Sequence, residues 1–149
     1  MKAKQVAGGS STTYVVILDE GEEAFCVLSD WAARHQVSAG QVTAVGAFER
    51  ATVGWFDRAA RDYRRIAVGQ QCEVLSLIGD IALGAGNPGQ PQVHLHAVLG
   101  LADGSTRGGH LLEGYVWPTL EVIVREAPTE LRKTYRPDIG LALIDPDQP

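Results

Sequence analysis

Most of the chain alternates apolar and polar positions with a period of two, the pattern of half-buried β-strands, and one stretch switches to the spacing of three and four that marks an amphipathic helix. Thr12 to Asp19, TTYVVILD, predicts a first strand, because β-branched and aromatic residues crowd it after a Gly/Ser-rich lead. Gly21, Glu22 and Glu23 then open a helix with negative charge at the end that favours it, and Ala24, Leu28, Trp31, Ala32 and His35 form one face. Val42 to Phe48 and Thr52 to Phe56 predict a hairpin joined through Glu49, Arg50 and Ala51. Arg58 to Arg65 reads as a short helix, or as a loop followed by an edge strand, and Cys72 to Leu83 as the central strand, with a division at Gly79 and Asp80 left open.

Gly84 to Pro91 is a loop by composition. After it, Val93 to Gly100 and Thr106 to Val116 flank Asp103-Gly104, a strong hairpin signal, and Thr119 to Arg125 predicts a last strand. A polar, proline-containing tail follows, whose apolar patch Ile139 to Ile144 is fit to dock as a short strand or to cover a neighbouring subunit. These elements predict an α+β fold: a mainly antiparallel sheet of about five to seven strands with one principal helix against it.

The 149 residues suffice for one domain with its own core, and 45% hydrophobic and 21% charged residues exclude a disordered chain. A formal net charge of −5 gives no general attraction to nucleic acid or anionic lipid. Four arginines in Arg58 to Arg65 are diluted by Asp57 and Asp62, so a solvated face is the expectation there. Cys26 and Cys72 match neither a zinc pair nor a disulfide framework and read as two buried thiols in a reducing compartment. With no apolar leader and no apolar run of spanning length, a cytoplasmic location away from membranes is expected. The Gly84 to Pro91 loop lacks the patterns of dinucleotide and phosphate-binding loops.

The histidines carry the chemistry. His94 and His96 lie two apart on a strand, so both rings leave one face with Cα atoms about 6.5 to 7 Å apart, and His110 returns on the partner strand. Three histidines with an open fourth position are a recognised zinc arrangement; the alternative is ordinary packing, each ring satisfied by hydrogen bonds. Register decides between them. If Asp103 and Gly104 are the only turn residues, His96 faces Leu111 and His110 points through the opposite side of the sheet. A β-bulge at Gly108-Gly109 is therefore expected, bringing His110 opposite Val98 and diagonal to His96; a looser turn around Asp103 makes the same change of face.

The segments VTAVGAFERATVGWFD (Val42 to Asp57), CEVLSLIGDIAL (Cys72 to Leu83), VHLHAVL (Val93 to Leu99), DGSTRGGHLLEG (Asp103 to Gly114) and LEVIV (Leu120 to Val124) resemble the prokaryotic branch of the plants-and-prokaryotes conserved domain, which is also known from plant AT-hook proteins. The resemblance runs over about residues 10–127 and implies a single such domain over 1–149 with residues 128–149 as its tail. It further implies an α+β fold assembled as a homotrimer, with the HxH and GGH histidines, here His94, His96 and His110, near a zinc or other divalent-metal site. DNA binding in the plant relatives is carried chiefly by Arg-Gly-Arg-Pro hooks, which this sequence lacks, so DNA enters only as a weak expectation resting on arginine patches gathered by a trimer.

Two functions remain from this reading. One is a homotrimeric metal-binding domain with an enzymatic or small-ligand-sensing role, in which the metal acidifies water or polarises a carbonyl and Glu113 or Glu73 is a candidate base. The other is a structural or regulatory interaction module, DNA-associated or not, in which the histidines pack a subunit interface. His35, at the helix end, is expected to stand apart from the site.

Overall fold

The computed structural model describes residues 1–7, 11–87 and 89–147; the Gly/Ser lead at 8–10 and Pro88 of the predicted loop lie outside the described residues. In chain order the elements are β1 (Lys2–Ala7), β2 (Thr12–Asp19), α1 (Ala24–His35), β3 (Ala39–Asp57), β4 (Asp62–Val68), β5 (Cys72–Leu83), β6 (Pro91–Gly100), β7 (Thr106–Glu126), β8 (Lys133–Arg136) and β9 (Leu141–Ile144). The first seven strands form one antiparallel sheet in the order β1-β2-β7-β6-β5-β3-β4, and a further pairing of β7 with β3 closes β3, β5, β6 and β7 into a ring. Among the described residues, no helix is long and apolar enough to cross a membrane.

The period-two pattern becomes burial directly. On β6, Val93, Leu95, Ala97 and Leu99 point into the core while the residues between them face outward. Helix α1 starts where Glu23 accepts the backbone N–H groups of Phe25 at 3.2 Å and Cys26 at 2.8 Å, so the acidic lead acts as a cap ahead of the first turn. Its Ala24, Leu28, Trp31 and Ala32 join the core formed by the inward residues of the sheet.

Four expectations need correction. The predicted hairpin between Val42 and Phe56 is one continuous 19-residue strand, β3. Adjacent Ala47 and Phe48 are both buried, and register shifts on either side of Phe48 bend the strand through Glu49 and Arg50 without reversing it. Likewise Thr106–Glu126 is one strand; Trp117 and Pro118 interrupt only its ladder, since pairing with β3 skips from Val116 to Leu120. Of the two thiols expected to be buried, Cys72 is, but Cys26 is exposed on α1; the division left open in β5 does not occur, because Gly79 and Asp80 keep their partners on β3 and β6. A strand also precedes the first expected one: β1 pairs with β2, and its charged, poorly patterned sequence, KAKQVA, suits a sheet edge. Of the alternatives for Arg58 to Arg65, the structure takes the loop followed by the edge strand β4.

Candidate metal centre

The β6–β7 connection sets the face on which His110 emerges. The Leu101 N–H donates to the Ser105 carbonyl at 2.8 Å and the Gly104 N–H to the Leu101 carbonyl at 2.9 Å, which leaves Ala102, Asp103 and Gly104 as a three-residue loop with Gly104 at φ +80°. Asp103 fastens it by accepting the N–H and hydroxyl of Ser105. The extra loop residue places His110 directly opposite His96. The change of face therefore comes from the turn, and the bulge expected at Gly108-Gly109 is absent from the β6–β7 ladder. A bulge does lie at Leu112, where β7 gains one residue against Thr52 and Val53 of β3.

His94, His96 and His110 converge. Their ring centroids form a near-equilateral triangle with sides of 5.1, 5.1 and 5.4 Å, and one nitrogen from each lies within 4.8 Å of the others. Ligands of a tetrahedral zinc ion at ~2.0–2.1 Å stand roughly 3.4 Å apart, so modest ring rotations would bring the three onto one ion. Asp80, opposite His94 in the β5–β6 register, accepts the His94 Nδ1–H at 2.9 Å. That hydrogen bond fixes the tautomer and leaves the His94 Nε2 lone pair free, as in a carboxylate–histidine–metal relay. Tyr63 stacks on the His110 ring at 4.7 Å. Among the described residues the buried His110 Nδ1 has no hydrogen-bond partner.

The protonation states suit metal binding. Burial, then the positive charge available on His94, His96 and Lys133, pushes the His110 imidazole down to about 4, and burial with His94 lowers His96 as well, partly offset by Asp80. Near neutral pH both rings are uncharged and offer lone pairs. Burial works to raise the Asp80 carboxyl, but the His94 hydrogen bond and the Lys133 charge outweigh it and hold Asp80 ionised below its ordinary range. Lys133 Nζ stands 3.2 Å from Asp80 Oδ1, and its side chain is only 5% exposed.

Neither glutamate considered as a base belongs to this group. Glu113 is ion-paired with Arg65, and Glu73 lies exposed at the other end of β5, opposite Gly100. The acid at the site is Asp80. Its signal is legible as the one carboxylate in the run LSLIGDIAL, Leu75 to Leu83, where burial tolerates it only beside a partner. Lys133 had no such signal in the polar tail. His35 stands apart at the helix end, where its Nδ1–H donates to the Trp31 carbonyl at 2.9 Å.

The three rings open onto a cavity of about 570 Å³, bounded also by Phe25, Tyr63, Lys133 and Leu141–Ile144. The tail reaches it because the Leu83 N–H donates to the Leu131 carbonyl at 2.7 Å, the Leu131 N–H donates to the Ser38 carbonyl at 3.2 Å, and β8 pairs with β9. The apolar patch of the tail thus docks as a short strand on β8.

Comparisons with known proteins agree with this architecture. The fold resembles a plant- and prokaryote-conserved protein of Pyrococcus horikoshii (28% identity, TM-score 0.82, covering 91% of this chain and 92% of that one). It also resembles a protein of Bacteroides thetaiotaomicron described as a candidate DNA-binding protein (25% identity, TM-score 0.87, covering 98% and 99%). A protein of Archaeoglobus fulgidus described as metal-containing shares the fold at 24% identity, with TM-score 0.80 and coverage of 97% and 98%. In sequence, 139 residues, 92% of the chain, are 30% identical to the bifunctional protein GlmU of Synechococcus sp. strain JA-3-3Ab, of which the match spans only 20%. Because residues 5–128 match the Plants and Prokaryotes Conserved domain, most of the length and every strand of the ring, the chain belongs to that family.

Proposed function

We propose that this chain is a divalent-metal-binding domain with His94, His96 and His110 as the ligands, zinc as the best-suited ion, and an enzymatic or ligand-sensing role at the metal's open position. The observation that carries the reading is the convergence of three nitrogens within 4.8 Å beside a cavity, with Asp80 orienting one ring from behind. The metal-containing relative from Archaeoglobus is in keeping with it. Such an ion, when bound, would act as a Lewis acid toward a ligand carbonyl or water. Metal analysis of protein purified without a histidine tag should give about one zinc per chain. No metal in that preparation, and none retained after zinc addition and gel filtration, would reject the site.

We further propose a homotrimer, as the family resemblance implies. Ile123, Thr43 and Ile78 stand side by side across β7, β3 and β5 in one lateral row that continues into His96 and His110. Ile123 and Ile78, with Val45 and Val98 nearby, are large apolar residues left 43–56% exposed, a surface suited to a neighbouring subunit. Analytical ultracentrifugation at micromolar concentration should give the trimer mass, and a persistent monomer rejects it.

A DNA-associated module ranks second, supported by the description of the Bacteroides relative. The most basic segment argues against it, because Arg64 forms two hydrogen bonds to Asp57 and Arg65 pairs with Glu113. Those arginines are occupied by carboxylates that phosphates would have to displace.

A further inference from the structure

We infer that the cavity beside the three histidines binds a small carboxylate bearing an apolar tail, with its head group between the metal and Lys133 and its tail against the C-terminal hairpin β8–β9. The inference rests on the metal reading above and adds the chemical class of the ligand.

Charge carries the first half. Among the described residues Lys133 is the buried charged residue, and an ammonium is costly to bury unless an anion answers it. Asp80 answers it at 3.2 Å, but the same carboxylate also accepts the His94 N–H, and a lysine has three donors to place. Asp80 and Lys133 cancel, and the histidines bind metal as neutral imidazoles. A divalent ion therefore leaves the cavity with two uncancelled positive charges, since Asp80 is the only acid among its described lining residues. A carboxylate with one oxygen on the metal and the other toward Lys133 cancels one of those charges and gives the lysine a second acceptor.

The walls carry the second half. Phe25, Leu141, Leu143 and Ile144 bound the cavity, whose volume suits a small organic molecule rather than water alone. Among its described lining residues there is no arginine, so the bidentate fork that commonly recognises phosphate is missing there, while a carboxylate can carry an apolar chain to bury against these walls. Lys133 and Leu141–Ile144 all fall beyond residue 128, where the family match ends. The ring thus supplies the metal ligands and the tail supplies the ligand-reading groups.

The test uses the full chain loaded with Co(II), whose visible spectrum reports both metal uptake and exogenous ligands, with calorimetry for affinity. Hexanoate should bind at least tenfold more tightly than acetate and should be preferred to inorganic phosphate. Lys133→Met should weaken both carboxylates about tenfold or more while Co(II) uptake persists. Leu143→Ser, at a 40% exposed position that carries little of the core, should weaken hexanoate and leave acetate unchanged, because it removes apolar wall without changing the charge of the cavity. If the Lys133→Met chain does not fold, the Leu143→Ser result decides. Equal affinities for hexanoate, acetate and phosphate, or a Leu143→Ser chain that binds hexanoate as wild type does, would overturn the inference and leave the metal site standing. A wild-type chain that takes up no Co(II) removes both.

Discussion

The two halves of β7 are built to different rules. From Thr119 to Glu126 the strand is paired on both sides, with β2 along its whole length and with β3 as far as Leu120, and neither ladder shifts register within that span. Leu120, Val122 and Val124 are completely buried there. From Thr106 to Leu112 the strand reaches β6 only as far as His110, carries Gly108 and Gly109, and bulges at Leu112 against β3. His110 emerges from this half with a buried nitrogen that has no hydrogen-bond partner among the described residues. Uninterrupted two-sided pairing with full burial concentrates stability, whereas the irregular half leaves side chains outside the core, where they are free to meet a ligand.

Substitutions in the two halves should therefore separate stability from metal affinity. Leu120→Ala removes a fully buried side chain and should cost about 3 kcal/mol in urea unfolding, while the folded molecules keep their metal. His110→Ala should do the reverse. Structural zinc sites distribute ~10–16 kcal/mol over four ligands, so losing one should weaken affinity roughly a hundredfold or more, with little change in the unfolding midpoint of metal-free protein. If Leu120→Ala loses metal as readily as His110→Ala, the two halves are not independent and the contrast fails.

Gly109→Val probes the junction between them. A Cβ at Gly109 would sit 2.5 Å from the Gly54 carbonyl of β3, backbone that cannot step aside, so β7 must move beside His110. The expected cost is about 2 kcal/mol in stability and about tenfold in metal affinity. Gly86, in the loop before β6, has nothing within 4 Å of its Cβ position, so Gly86→Val should leave metal affinity unchanged. Similar metal titrations for the two variants would show that the close β3–β7 approach does not position His110.

Asp80→Asn tests support from behind the ring. The amide keeps the shape but loses the charge that fixes the His94 tautomer and answers Lys133, so metal affinity should fall by roughly tenfold or somewhat more. Retention of wild-type affinity would reduce Asp80 to a structural partner of Lys133.

The regular half of the molecule was also the legible half. Strand β2 was bounded at Thr12 and Asp19, and β5 at Cys72 and Leu83, because alternation and β-branched residues act locally and the core face follows from parity. The histidine face was legible only as a condition on register, since a hairpin signal such as Asp103-Gly104 does not say whether two or three residues turn. Continuous β3 and β7 look in sequence like pairs of strands, because a bend driven by bulges and by Pro118 has the residue pattern of a turn. Asp80 and Lys133 come together through a tail that returns across the end of β5, a contact over fifty residues that no local pattern encodes.

The smallest expected effect on the metal comes from the fourth histidine. His35 stacks on Trp31 with ring centroids 4.7 Å apart, meets the edge of Tyr14 at 5.9 Å, and donates to the Trp31 carbonyl one helical turn back. Each of these contacts belongs to α1 or β2, and none reaches the cavity of the other three rings. His35→Ala removes an aromatic contact and a hydrogen bond at a partly exposed helix end, changes that should cost about 1 kcal/mol in urea unfolding. Metal content and Co(II) spectrum should match wild type, because the substitution alters neither the register of β6 with β7 nor the Asp80–His94 hydrogen bond. Loss of metal in His35→Ala at normal stability would mean that His94, His96 and His110 do not form the ligand set.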